Sequence, residues 1–66
     1  MPTPIEERSV ELHTGQRSAI ATLQRLEKGW VVDVIAENDQ PDIAGNDQFY
    51  PAPDKAVEAA KALWLA

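Results

Sequence analysis

The chain has 66 residues, a formal net charge of −5 and 44% hydrophobic residues, ten of them alanine. This length excludes more than one domain and leaves few large apolar side chains for a core. With no cysteine and one histidine, a disulfide framework, a thiolate metal site and a multi-histidine centre within one chain are excluded, and we expect no cofactor. No membrane-spanning apolar run or signal-peptide pattern is visible, so we expect a cytoplasmic protein.

The negative charge is concentrated in one segment. Residues 37–54 contain five acidic residues and no basic one, whereas the acids and bases of the remaining chain balance. A nucleic-acid binder needs a basic stripe to neutralise phosphates, and an anionic membrane attracts the same kind of surface. We therefore expect neither partner, although an acidic inhibitor that mimics DNA is a possible alternative.

The N-terminal part predicts an arm followed by a strand. Residues 1–7 contain two prolines and two glutamates, which is typical of a flexible arm, and residues 8–66 then form one small domain. Val10 and Leu12 alternate with polar residues, which indicates a half-buried strand over Arg8–His13.

Residues 17–28 allow two interpretations. Their composition favours a helix. Alternatively, Gly29 closes a three-residue hairpin loop that pairs Leu26 with Trp30, so that one register also pairs Thr22 with Val34. We favour the strand, because this register places several apolar side chains on one face.

The C-terminal half predicts a strand, a loop and a helix. The β-branched and aromatic run 30–36 indicates a strand, and residues 37–48 a polar loop. Phe49 and Tyr50 form a brief extended segment, a possible fourth strand. Residues 55–65 form an amphipathic helix that Asp54 caps.

The predicted fold class is therefore α+β. It is a three-stranded antiparallel meander, with a possible short fourth strand and one C-terminal helix packed on one face. If residues 17–28 are helical, the alternative is a β-α-β-(β)-α arrangement.

The glycine-tryptophan strand at 29–34, the aromatic pair at 49–50 and the alanine-rich helix at 54–60 carry a loose resemblance to known families. The pattern resembles small bacterial β-β-β-α domains of unknown function, a likeness that implies no activity. It is also similar to the arm-DNA-binding domain of phage-type integrases, which would imply a sheet face lying in a DNA groove. Arg17 and Arg25 are the only cations on the equivalent strand here.

The main candidate site is the sheet face turned away from the helix. In the hairpin register above, this face exposes apolar side chains with a charged rim, which is typical of a partner surface. The predicted partner surface consists of Leu23, Arg25, Val31, Asp33 and Ile35. Its occupant would be a second copy or another protein.

The other chemistry-bearing residues have simpler interpretations. The acidic loop lacks the spacing of a calcium-binding loop. His13 has no nucleophile or carboxylate pair of a known catalytic motif beside it, so we expect a surface histidine and no catalytic or metal site. Trp30 and Trp64 are expected to meet in the core. The sequence thus predicts a non-enzymatic protein-interaction module of bacterial type, with a nucleic-acid-associated module as the alternative.

Overall fold

A computed structural model describes residues 4–66 of the chain. The described part contains four strands and one helix: β1 (Glu6–Thr14), β2 (Arg17–Leu26), β3 (Gly29–Ala36), β4 (Ile43–Ala44) and α1 (Pro53–Leu65). The strands form one antiparallel sheet in the order β1-β2-β3-β4. The predicted α+β meander with a C-terminal helix is confirmed.

Strand β2 lies at the centre of the sheet and settles the ambiguity over residues 17–28. It pairs with β1 along one edge and with β3 along the other. Pairing on both edges satisfies its backbone groups and outweighs the helix propensity of its side chains. The helical alternative for this segment is therefore wrong.

The hairpin between β2 and β3 has a different register near its turn from the predicted one. Gly29 has a φ of 135°, which favours glycine. The turn itself holds two residues, and Leu26 pairs with Gly29 rather than with Trp30. Further along, Thr22 does pair with Val34, as predicted, because the register shifts between Thr22 and Leu23.

A β-bulge at Asp33 produces this shift. Leu23 pairs with Val32 and Thr22 pairs with Val34, so Asp33 is the additional residue on β3. An extra residue reverses the alternation of side chains in the rest of a strand. As a result Trp30, Val32 and Ile35 all point to the helix side, although they are spaced by two and then by three residues.

The core lies between α1 and this side of the sheet. Small side chains line both surfaces of this core. Ala19 and Ala21 on β2 and Ala56 and Ala60 on α1 are all buried. Small residues allow a helix to approach a sheet closely, and larger side chains fill the space around them. The remaining buried residues are Leu12, Leu23, Trp30, Val32, Ile35 and Trp64. The expected burial of both tryptophans is confirmed.

Several element boundaries differ from the prediction. Strand β1 begins at Glu6, so the last residues of the predicted arm belong to the sheet, whereas residues 1–3 lie outside the described part. Helix α1 begins at Pro53 and has no side-chain cap, so Asp54 lies in its first turn rather than capping it. Proline is favoured at this first position because its missing N–H would have no partner there.

The fourth strand is not where the sequence placed it. Strand β4 lies within the predicted loop, at Ile43–Ala44. The brief extended segment at Phe49–Tyr50 also exists, because Tyr50 and Trp30 exchange two backbone hydrogen bonds of 2.8 and 2.9 Å. None of the described residues belongs to a helix with the length and apolar character needed to cross a bilayer.

Candidate functional site

One side of the sheet carries no helix within residues 4–66, and we call this side the open face. Alternate residues of the three long strands point to it, as the strand register and the burial pattern show. Its central positions, on β2 and β3, are Ser18, Ile20, Thr22, Gln24, Leu26, Val31, Asp33, Val34 and Ala36. Its outer positions, on β1, are Glu7, Ser9, Glu11 and His13.

The predicted partner surface is not assembled as expected. Leu23 and Ile35 have no exposed surface and belong to the core, so their placement on the open face is wrong. The two-residue turn pairs Leu23, rather than Gln24, with Val32 and so places Leu23 on the helix side. The bulge at Asp33 reverses the alternation along β3 and does the same for Ile35. Arg25 pairs with Trp30 on the helix side, where it lines a cleft at the end of the sheet.

Two of the five predicted residues do lie together on the open face. Val31 and Asp33 line a depression of about 470 Å³, and Gln24 and Phe49 line it as well. Phe49 is 45% exposed although it is a large apolar side chain. The depression therefore combines apolar side chains with the carboxylates of Asp33 and Asp47, an arrangement that can take an apolar side chain of a partner.

The segment after β4 is held in place as a wall of this depression. Gly45 donates a 3.0 Å backbone hydrogen bond to the Asp33 carbonyl oxygen. A Cβ atom at position 45 would lie 1.6 Å from the Val32 carbonyl oxygen, so this close approach requires glycine. Asn46 donates a 2.9 Å hydrogen bond to the Tyr50 hydroxyl. These contacts position Phe49 beside the sheet.

Charge is distributed unequally between the two sides of the sheet. The open face and its depression carry the carboxylates of Glu7, Glu11, Asp33 and Asp47, with His13 at one corner. The three arginines lie on the helix side, and Lys55 and Lys61 lie on α1. Lys28 lies in the β2–β3 turn, and its Nζ is 5.9 Å from the Phe49 ring centroid. The open face therefore carries no lysine or arginine from β1, β2 or β3.

His13 is a surface residue, as expected. Its side chain is 65% exposed, and its Nε2 lies 3.3 Å from the Glu11 carboxylate. Within residues 4–66, no three His, Cys, Asp or Glu side chains come together as a group that could hold a metal ion.

A second polar cluster joins the end of the sheet to the end of α1. The Arg17 guanidinium donates two hydrogen bonds to the Glu37 carboxylate, at 2.7 and 3.0 Å, and lies 4.9 Å from the Trp64 ring centroid. The Trp64 Nε1 donates a third, at 3.0 Å. The Arg17 and Trp64 hydrogen bonds lower the pKa of Glu37 to about 2. The Glu37 carboxylate accepts all three hydrogen bonds, so we assign this cluster to stability.

The sequence missed this cluster because its members are far apart in the chain. The sequence pattern assigns Glu37 to the polar loop and Arg17 to the second strand, whereas the structure brings both next to Trp64 on the helix side. Only the three-dimensional arrangement brings the end of β3 to the last turn of α1.

The chain matches no protein-family model, and no curated protein or solved structure shows significant similarity to it.

Proposed function

We propose that this protein is a non-enzymatic protein-interaction module that binds a partner protein on the open face. The observation that carries the proposal is the unequal division of charge. An apolar strip formed by Ile20, Val31 and Val34 lies between carboxylates, while the arginines are on the other side of the sheet. An apolar patch with a polar rim is typical of a protein interface.

The same charges indicate the chemistry of the partner. Two copies that met open face to open face would bring Glu7, Glu11, Asp33 and Asp47 of each chain into one interface, where like charges repel. A nucleic acid would be repelled for the same reason. The complementary partner is a segment that presents lysine or arginine alternating with apolar side chains, one of which occupies the depression beside Phe49.

The volume and the lining of the depression are compatible with binding an apolar side chain of the partner. Its volume of about 470 Å³ is enough for a large apolar side chain. The residues lining it include Gln24, Val31 and Asp33 but no histidine, and His13 lies on the outermost strand.

A titration followed by ¹H–¹⁵N correlation spectra tests the proposal. The probe is a synthetic seven-residue peptide that alternates lysine and valine, and the control peptide has glutamate in place of lysine. We expect the lysine peptide alone to shift the amide signals of β2, β3 and Phe49. Shifts confined to α1, or equal shifts with both peptides, would contradict the proposal.

Two charge reversals provide a matched comparison. Asp33→Lys and Glu58→Lys change the net charge equally and both replace exposed residues, but only Asp33 lies on the open face. We expect Asp33→Lys to weaken binding of the lysine peptide at least about fivefold, and Glu58→Lys to change it less than about twofold. Equal weakening by both would show that the peptide responds to net charge alone.

A further inference from the structure

Strand β1 forms a long free edge of the sheet. No strand within residues 4–66 pairs with its outer side. It is nine residues long, contains no proline, and follows a single register against β2 without a bulge. A regular edge of this kind exposes a row of backbone N–H and C=O groups that can accept another strand. The opposite edge is different, because β4 has only two residues.

We propose that a second copy of this chain pairs with this edge, β1 against β1, across a two-fold axis perpendicular to the sheet. Antiparallel pairing of that kind joins the two sheets into one and keeps both helices on the same side. It also pairs each residue with one that points to the same face. The strand Glu6–Thr14 is centred on Val10, so pairing Val10 with Val10 of the other copy engages all nine positions.

The charges on β1 favour the same register. With Val10 at the centre, Glu7 of one copy faces His13 of the other, and Ser9 faces Glu11. Moving one strand by two residues places Glu7 opposite Glu11 or Glu11 opposite Glu11 of the other copy, and like charges directly opposite each other are destabilising. The register with the most paired residues is therefore also the one without facing carboxylates on the open face.

Charged residues on an edge strand usually discourage pairing. Here they select one register instead, because each carboxylate on the open side faces a histidine or a serine. Pairing of nine residues is a small interface, so we expect weak and reversible association. The joined sheet would present two open faces side by side. It leaves both available to the partner proposed above, and either proposal can fail without the other.

Sedimentation equilibrium of the purified protein, up to about millimolar concentration, tests the inference. His13→Glu places a glutamate opposite Glu7 of the other copy, twice in each dimer. Because these like charges repel, we expect the dissociation constant to rise about tenfold. The double variant Glu7→Lys/His13→Glu restores opposite charges, and we expect it to return to within about threefold of the original value. Circular dichroism checks that each variant is folded.

Recovery of association in the double variant would show that positions 7 and 13 meet between copies rather than within one chain. Glu7 and His13 of one chain are six residues apart along an extended strand, about 20 Å, so they cannot compensate for each other within it. A protein that remains monomeric throughout the concentration range would overturn the inference, as would a His13→Glu variant that associates normally or a double variant that is not rescued. Val34→Lys, on the open face, is expected to leave the dissociation constant unchanged, and a dimer broken by it would place the interface on that face instead.

Discussion

The burial of Leu23 predicts a large loss of stability on truncation, and Leu26 on the same strand provides its control. Leu23 has no exposed surface and points to α1, whereas Leu26 is half-buried on the open face near the turn. Leu→Ala changes at fully buried positions cost about 2–5 kcal/mol, from lost transfer free energy and the remaining cavity. A half-buried leucine contributes about 1 kcal/mol.

These losses are large for a chain of this size, whose free energy of unfolding is on the order of 3–10 kcal/mol. Leu23→Ala is therefore expected to remove about 3 kcal/mol and Leu26→Ala about 1 kcal/mol or less. The milder pair Leu23→Val and Leu26→Val remains measurable if Leu23→Ala does not fold, with an expected cost of about 1 kcal/mol for the first and a few tenths for the second.

Urea unfolding followed by tryptophan fluorescence measures these differences, because Trp30 and Trp64 are both buried in the folded protein. The midpoint should fall more for each Leu23 variant than for the corresponding Leu26 variant. Equal costs at the two positions, or a higher cost at Leu26, would refute the assignment of Leu23 to the helix side and with it the bulge at Asp33.

Two further predictions concern contacts described above. The pKa of Glu37 is lowered to about 2, against 4.5 for a free glutamate, so its contribution is fully present above about pH 4.5 and is lost as the pH falls towards 2. Glu37→Gln should therefore lower the urea midpoint at pH 7, with the two proteins converging near pH 2; a constant difference across this range would contradict the role given to Arg17 and Trp64. Gly45→Ala forces a Cβ against the Val32 carbonyl oxygen, so thermal unfolding should show a loss of at least about 2 kcal/mol, and an unchanged midpoint would argue against the close approach.

Much of the fold could be predicted because local patterns and global packing agree. The alternation at Val10 and Leu12 on β1, the glycine of the β2–β3 turn and the spacing of apolar residues on α1 each favour the element that forms. The alanines of β2 were less informative, because helix propensity and sheet pairing make opposite predictions there. Pairing on both edges, a long-range property, decides between them.

The candidate site was predicted less well, because two local features change which side chains face the helix. The two-residue turn pairs Leu23 with Val32 and Arg25 with Trp30, which places Leu23 and Arg25 on the helix side. Strict alternation along β3 placed Ile35 on the same side as Val31, and the bulge places them on opposite sides. A sequence signal was present in two forms. Aspartate is depleted in strand interiors, and Trp30, Val32 and Ile35 form an apolar pattern spaced by two and then by three. Together these two signals indicate an extra residue at Asp33.

The docking proposal depends on which valines and isoleucines lie under α1. Nuclear Overhauser effects between methyl groups of β3 and protons of Ala60 or Trp64 measure this directly. The described geometry predicts such effects from Ile35 and Val32 and none from Val34. Effects from Val34 to α1, with none from Ile35, would show an unbulged strand and would contradict the apolar strip of Ile20, Val31 and Val34 on which the proposed function rests.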